Sequence, residues 1–255
     1  MKINLMILEV GLNHLGNEKK ALGYLDFFLN SNFKKLTFQI NTKNFYLKYP
    51  YKLTSKFYNY ALSKARKRKK KIGLAVSDPK TFKEYSNLKF DFYKLLSIGI
   101  NNLELLSMLN NIKKEVFVSL GMADDKKIKQ CLKRLHSIPK KKINLIYTSL
   151  SYDSKDLNLN KIKYLKKKFK LKVGYGHHYK NNLPILFSKI FGYDFIFTYI
   201  KSKKINKNYK NLPDNKHAID IEDLNKIELS QKEIENFIKN KKTNFKMKIY
   251  DKIYL

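Results

Sequence analysis

Eight short runs rich in Ile, Leu, Val, Phe and Tyr recur along the chain, and most of the intervals between them carry apolar residues at helical spacing. The runs are INLMILEV from Ile3, KLTFQI from Lys35, KIGLAV from Lys71, DFYKLL from Asp91, EVFVSL from Glu115, INLIYT from Ile143, KLKVGY from Lys170 and DFIFTY from Asp194. Helices are predicted over 18–30, 55–67, 101–112, 125–136, 159–169 and 183–191. Strand and helix in strict alternation mark parallel βα units. Eight units in 255 residues suit a (β/α)8 TIM barrel, which typically needs about 250. A doubly wound open sheet is the alternative. We expect one domain spanning 1–255.

The 17 Phe and 18 Tyr within a 43% hydrophobic chain supply enough core to set aside disorder despite the net charge of +33. That charge invites a nucleic-acid reading, yet only Arg66, Arg68 and Arg134 are arginines, and bidentate contacts to bases and phosphates favour arginine. The abundance of Lys, Asn, Ile, Tyr and Phe looks instead like A+T-rich coding. The run KARKRKKK at 64–71 falls where a helix should end, and cations there suit the negative end of its dipole; a solvated helix terminus is expected. Cys131 is the one cysteine, which leaves no disulfide framework and no CxxC metal site. The stretch around LPILFSKIFGYDFIFTYI carries Lys189 and Asp194 near its middle, too costly for a membrane span. The N-terminus reads as a first strand rather than a leader, so a cytoplasmic location is expected.

In a barrel the reactive groups sit at the carboxyl ends of the strands and in the loops that follow. Polar residues at those positions are Glu9, Asn13, His14, Gln39, Ser77, Asp78, Lys94, Ser97, Ser119, Tyr152, His177 and His178. Side chains alternate across a strand, so Leu36, Phe38 and Ile40 should face helices while Thr37 and Gln39 line the mouth. The same alternation sends His177 and His178 to opposite faces. An inward Lys94 requires an anionic partner, either a bound phosphate or carboxylate, or Glu9 in a structural ion pair.

Several segments, in order, resemble the N-acetylneuraminate (sialic acid) synthase family. LEVGLNHLGN from Leu8 is similar to its AEIGxNHNG opening, TFQ at 37–39 to KFQ, YKLLSIGINNLELL from Tyr93 to KIxSxxxxNxxLL, and VSLGM from Val118 to LSTGM. LSYDS from Leu150 resembles xxYPT, VGYGHHY from Val173 resembles VGYSDHT, and PDNKHAIDIEDL from Pro213 resembles PDHxASLEPxEL. The resemblance implies a barrel enzyme that condenses phosphoenolpyruvate with N-acetylmannosamine or a related amino sugar, releasing phosphate. It implies that Lys94, Ser97 and Ser119 hold phosphoenolpyruvate with Tyr152 beside it, that Glu9, Gln39 and Asp214 meet the sugar, and that His178 binds divalent manganese or magnesium. Glu9, Lys94 and Tyr152 are the catalytic candidates.

Some positions depart from the family pattern. Thr37 stands at the lysine of KFQ, Gly176 at the serine of GYSDH, Phe197 at the glutamate of the eighth strand and Tyr199 at its second metal-binding histidine. The family's small C-terminal antifreeze-like domain, through which homodimers exchange an arginine, has no counterpart before Leu255. Two readings therefore stay open: a divergent synthase, and a catalytically impaired barrel that keeps only an anion or sugar pocket.

Overall fold

Met6, Leu8 and Val10 on one side of the first strand are buried against helices, while Ile7 and Glu9 on the other side are buried within a closed sheet. This two-sided burial repeats around the computed structural model, which describes residues 5–121 and 123–239. Ile3 and Asn4 of the expected first strand, and Met122 of VSLGM, lie outside those residues, as do residues 240–255.

The elements run β1 (Met6–Gly11), α1 (Glu18–Asn30), β2 (Lys35–Gln39), α2 (Lys43–Lys48), α3 (Ser55–Lys67), β3 (Lys71–Val76), α4 (Pro79–Tyr85) and β4 (Phe92–Leu95). They continue α5 (Leu103–Ile112), β5 (Glu115–Ser119), α6 (Asp125–Arg134), β6 (Ile143–Tyr147), α7 (Asn160–Phe169), β7 (Lys172–His177), α8 (Leu183–Leu186), α9 (Ser188–Phe191), β8 (Ile196–Lys201), β9 (Ile219–Asp220) and α10 (Leu224–Lys239). Strands β1 to β8 are parallel and paired in sequence order, and β1 also pairs with β8. The sheet is thus a closed (β/α)8 barrel, and the open-sheet alternative falls. The two-residue β9 pairs outside it on β8, Ile200 opposite Ile219.

Helix starts follow from local chemistry. Asn17, Thr42, Thr54, Asp78, Asn102 and Asp124 each accept a hydrogen bond from a backbone N–H in the first turn, an N-cap worth about 1 kcal/mol apiece. The interval expected to form one helix over 183–191 holds two, α8 and α9, broken at Phe187. Gln231 of α10 explains the break: its amide donates to the Ile185 carbonyl at 3.0 Å and to Ser188 Oγ at 2.9 Å, satisfying a backbone acceptor that a continuous helix would have used.

The barrel interior divides into layers. Ile7, Phe92, Phe117, Ile146, Phe195 and Phe197 form a separate apolar cluster, with Phe117 edge-on to Phe195 and Phe197 at centroid distances of 5.0 and 5.1 Å. Below this plug the Lys35 ammonium pairs with Glu115 at 2.7 Å; above it lie the polar groups of the carboxyl-terminal mouth.

The basic run at 64–71 departs from the expected solvated terminus at one residue. Lys70 is buried, and its ammonium donates to the carbonyls of Phe28 and Ser31, supplying donors to the C-terminal end of α1. Burial pushes its ammonium down to about 8. Among the described residues no helix is long and apolar enough to cross a membrane.

Candidate active site

Four strands and one long loop place charged and aromatic groups over the apolar plug. Glu9 on β1 and Lys94 on β4 face inward and meet: the Lys94 ammonium donates to Glu9 Oε2 at 2.5 Å, with the two side chains 4% and 0% exposed. Glu9 answers the question of what partners Lys94 inside the protein. The second oxygen, Glu9 Oε1, is buried with no hydrogen-bond partner, an unusual state for a buried acceptor. Lys94 Nζ also lies 5.0 Å from the centre of the Phe197 ring and 5.3 Å from that of Tyr199. Each such cation–π contact contributes about 0.5–2 kcal/mol.

Tyr199 and the loop residues complete the mouth. The Tyr199 hydroxyl donates to Gln39 Oε1 at 3.5 Å. The Tyr199 ring meets His178 and His217 edge-on, at 5.5 and 4.9 Å, while the two imidazoles stack at 4.4 Å with planes 21° apart. His217 lies three residues beyond Asp214, and its Nε2 is 3.8 Å from Asp214 Oδ1. Tyr152 is 40% exposed and lays its hydroxyl 3.5 Å from His217 Nδ1.

The loop that delivers Asp214 and His217 is fixed by buried polar contacts. Asn13 donates to the Ile200 carbonyl at 2.9 Å and accepts from the Asp214 N–H at 3.2 Å. Asn206 donates to the Asn13 carbonyl and to the Tyr24 hydroxyl. Gly11 leaves room for the approach. With φ of +57°, it would place a Cβ within 2.6 Å of both Asp214 Oδ2 and the Tyr199 ring, so neither space nor backbone conformation admits a side chain there.

Electrostatics at the mouth favour neutral groups around the Glu9 and Lys94 pair. Burial, with Glu9 adding repulsion, pushes the Asp214 carboxyl up to about 7. Burial together with Glu9 and Asp214 drives the Tyr199 phenol far above its usual range. Burial, with Lys94 and Lys201 adding repulsion, pushes His217 down to about 4. His178 is lowered for the same reasons, chiefly burial, then its neighbours His217 and Lys94.

Ser119 and Ser97 stand on the β5 and β4 side. Ser119 faces inward two positions beyond Phe117, which is paired with Lys94, and its hydroxyl is 3.5 Å from Thr148 Oγ1. Ser97 follows β4 and packs beside Gly121. Gly176, at the position where the resembling pattern has serine, would put a Cβ only 2.3 Å from Thr148 Oγ1. Thr148 therefore occupies that space and brings a hydroxyl of its own. Thr37 turns its hydroxyl to the Leu8 carbonyl at 3.1 Å and offers no cation.

Other sequence candidates fall elsewhere. His177 is buried on the outer face of β7 against the Tyr175 ring, 5.9 Å away, where burial pushes it down to about 3. His14 is buried beside Phe38, accepts from the Gly16 N–H through Nδ1, and is likewise held down to about 3. Asp78 caps α4. His217 stands at no strand end; its one local signal is its place three residues after Asp214, in a loop that no strand pattern could position.

Manganese or magnesium takes several oxygen or nitrogen donors. Among the described residues no group of three His, Cys, Asp or Glu side chains is placed to share an ion. Imidazole lone pairs lie in the ring plane, so the stacked rings of His178 and His217 cannot converge on one ion between them. The described residues at the mouth do not fit the metal that the resemblance implied.

A closed βα barrel with an ion pair, two histidines and a carboxylic acid gathered over its carboxyl-terminal mouth has the layout on which barrel proteins build ligand sites. The NeuB family model matches residues 24–243, and the chain belongs to the NeuB family. N-acetylneuraminic acid synthetase from Leptospira borgpetersenii, solved with citrate, superimposes with a TM-score of 0.80 at 20% identity, over 98% of this chain and 90% of that one. The spore coat polysaccharide biosynthesis protein spsE of Bacillus subtilis gives 0.77 at 18%, over 92% and 69%. A phospho-2-dehydro-3-deoxyheptonate aldolase from Thermotoga maritima gives 0.73 at 14%, over 91% and 69%. At these identities the structural likenesses speak for the fold. Among curated protein sequences none matches.

Proposed function

We propose that this chain is a sialic acid synthase-like transferase that joins phosphoenolpyruvate to an N-acetylated amino sugar and releases phosphate. Family membership supports the reaction class. The observation that carries the reading is the buried Glu9 and Lys94 pair at the mouth, with one Glu9 oxygen unpartnered.

In this reading Lys94, with the hydroxyls of Ser97 and Ser119, receives the negative groups of phosphoenolpyruvate through charge-assisted hydrogen bonds. Glu9 Oε1 and Gln39 accept from sugar hydroxyl or amide groups. The enol carbon attacks the sugar aldehyde and forms the new carbon–carbon bond; the aldehyde oxygen takes a proton, which Asp214, held up to about 7, can carry at neutral pH. Water then adds to the cationic carbon that bore the phosphate, and phosphate departs to leave a keto acid. Tyr152 flanks the entrance.

The competing reading, a barrel that binds but does not react, draws on Thr37, Phe197 and Tyr199, which replace charged or ligating groups of the resembling pattern. Phosphate release decides between them, measured with phosphoenolpyruvate and a panel of N-acetylated hexosamines, with and without divalent manganese. Release that depends on one sugar is the expected result. No release with any of them removes the synthase reading and leaves the binding barrel.

A further inference from the structure

The two positions that the resemblance assigns to a carboxylate and a metal-binding histidine carry aromatic rings here, and both rings are turned to one ammonium. Phe197 and Tyr199 present themselves to Lys94 Nζ at 5.0 and 5.3 Å, and Glu9 closes the third side at 2.5 Å. All four side chains are buried. Aromatic faces attract a cation through the ring quadrupole and repel the lone pairs of an anion. Two rings and one carboxylate therefore make a cage for a monovalent organic cation built into the chain.

We propose that this site works without a divalent ion: Lys94, caged by Phe197, Tyr199 and Glu9, is its fixed cation, and an anionic ligand binds by taking Glu9's place on the ammonium. The inference rests on the proposed function only in taking phosphoenolpyruvate as the anion. Its metal arm is independent of turnover. Glu9 is a competitor in this scheme as well as a partner, because a buried ammonium holds one short charged hydrogen bond to it and an arriving carboxylate or phosphate makes the same kind of bond. Removing the negative charge of Glu9 leaves Lys94 in need of an anion, whereas removing Lys94 leaves an anion with no partner.

The experiment has two arms, both on the full chain. Divalent manganese is titrated while its free ion is followed by electron paramagnetic resonance. The wild type is expected to leave the free-ion signal unchanged, while the paired substitution Phe197→Glu and Tyr199→His is expected to bind manganese. Stoichiometric binding by the wild type overturns the inference, even if the synthase activity is real. Absence of binding by the wild type supports it whether or not the paired variant folds.

In the second arm, calorimetry with phosphoenolpyruvate in the presence of a chelator should give binding that Glu9→Gln tightens about five-fold or more and Lys94→Met abolishes. Binding that requires manganese, that Glu9→Gln weakens, or that is undetectable in every protein overturns the caged-cation scheme. Chelator-resistant binding with no sugar-dependent phosphate release instead sustains the scheme and removes the proposed reaction.

Discussion

Asp214→Asn should stabilise the protein at alkaline pH, with a size that follows from the mouth geometry. The Asp214 side chain is 19% exposed and sits where burial and Glu9 both oppose its charge, raising it from an ordinary 3.8 to about 7. Because the folded state holds this proton more tightly than the unfolded chain, the contribution is favourable at low pH and is lost as pH rises through the interval between those two values. Above the folded value, ionised Asp214 costs about 4 kcal/mol relative to a carboxyl with no shift. Between pH 5 and pH 8 the same linkage makes the wild type lose about 2.5 kcal/mol that the amide, which does not titrate, retains. Urea unfolding of both proteins at pH 5, 6, 7 and 8 measures the difference directly. Titrating groups that do not touch Asp214, such as the buried His14 and His177, affect both proteins alike and cancel. Parallel stability curves for wild type and Asp214→Asn across that range would refute the claim that Asp214 ionises unwillingly at the mouth.

Other expectations rest on packing and charge. Gly176→Ser should destabilise by about 1–3 kcal/mol through overpacking against Thr148, and adding Thr148→Ala should recover most of the loss in thermal melts; no loss in the single variant would mean that Thr148 does not fill the space. Lys94→Met should cost about 3–5 kcal/mol by stranding the buried Glu9 charge, while Lys94→Met with Glu9→Gln should cost less, and equal losses in single and double variants would argue against a coupled pair. Cys131 is buried, which pushes its thiol up to about 12, so a thiol reagent should modify it at the rate of unfolding rather than at that of a free thiol.

Much of the architecture could be read from residue order. The two-residue period of β2 set Thr37 and Gln39 against Leu36 and Phe38, and the same period separated His177 from His178; apart from β1, the strand ends lie within two residues of the expected ones, without altering either face. Asp78 followed by Pro79 carried the start of α4, an N-cap and first-turn proline that the apolar pattern of so short a helix did not announce. The burial of Lys70 is not legible in sequence because nothing near it in the chain shows the carbonyls of Phe28 and Ser31, brought there by the packing of α1 beside α3. The place of His217 is illegible for the same reason, since its partners Tyr199, His178 and Tyr152 come from three other segments.

What residue order fixed was whatever depends on near neighbours: the period of the strands, the caps of the helices, and hence eight βα units that close on themselves. What needed the folded molecule was the pairing of groups far apart in the chain. Sequence left Lys94 with two equal candidates for a counter-ion; only barrel closure, which sets β1 next to β8 and turns Glu9 toward Lys94 across the interior, puts one of them at 2.5 Å. Closure also makes Phe197 and Tyr199, which the resemblance had marked only as departures from a charged and a ligating position, into the walls around that ammonium. Local conformational preferences are short-ranged, whereas charge pairing in a water-poor interior depends on distance through space, and the path of the backbone sets that distance.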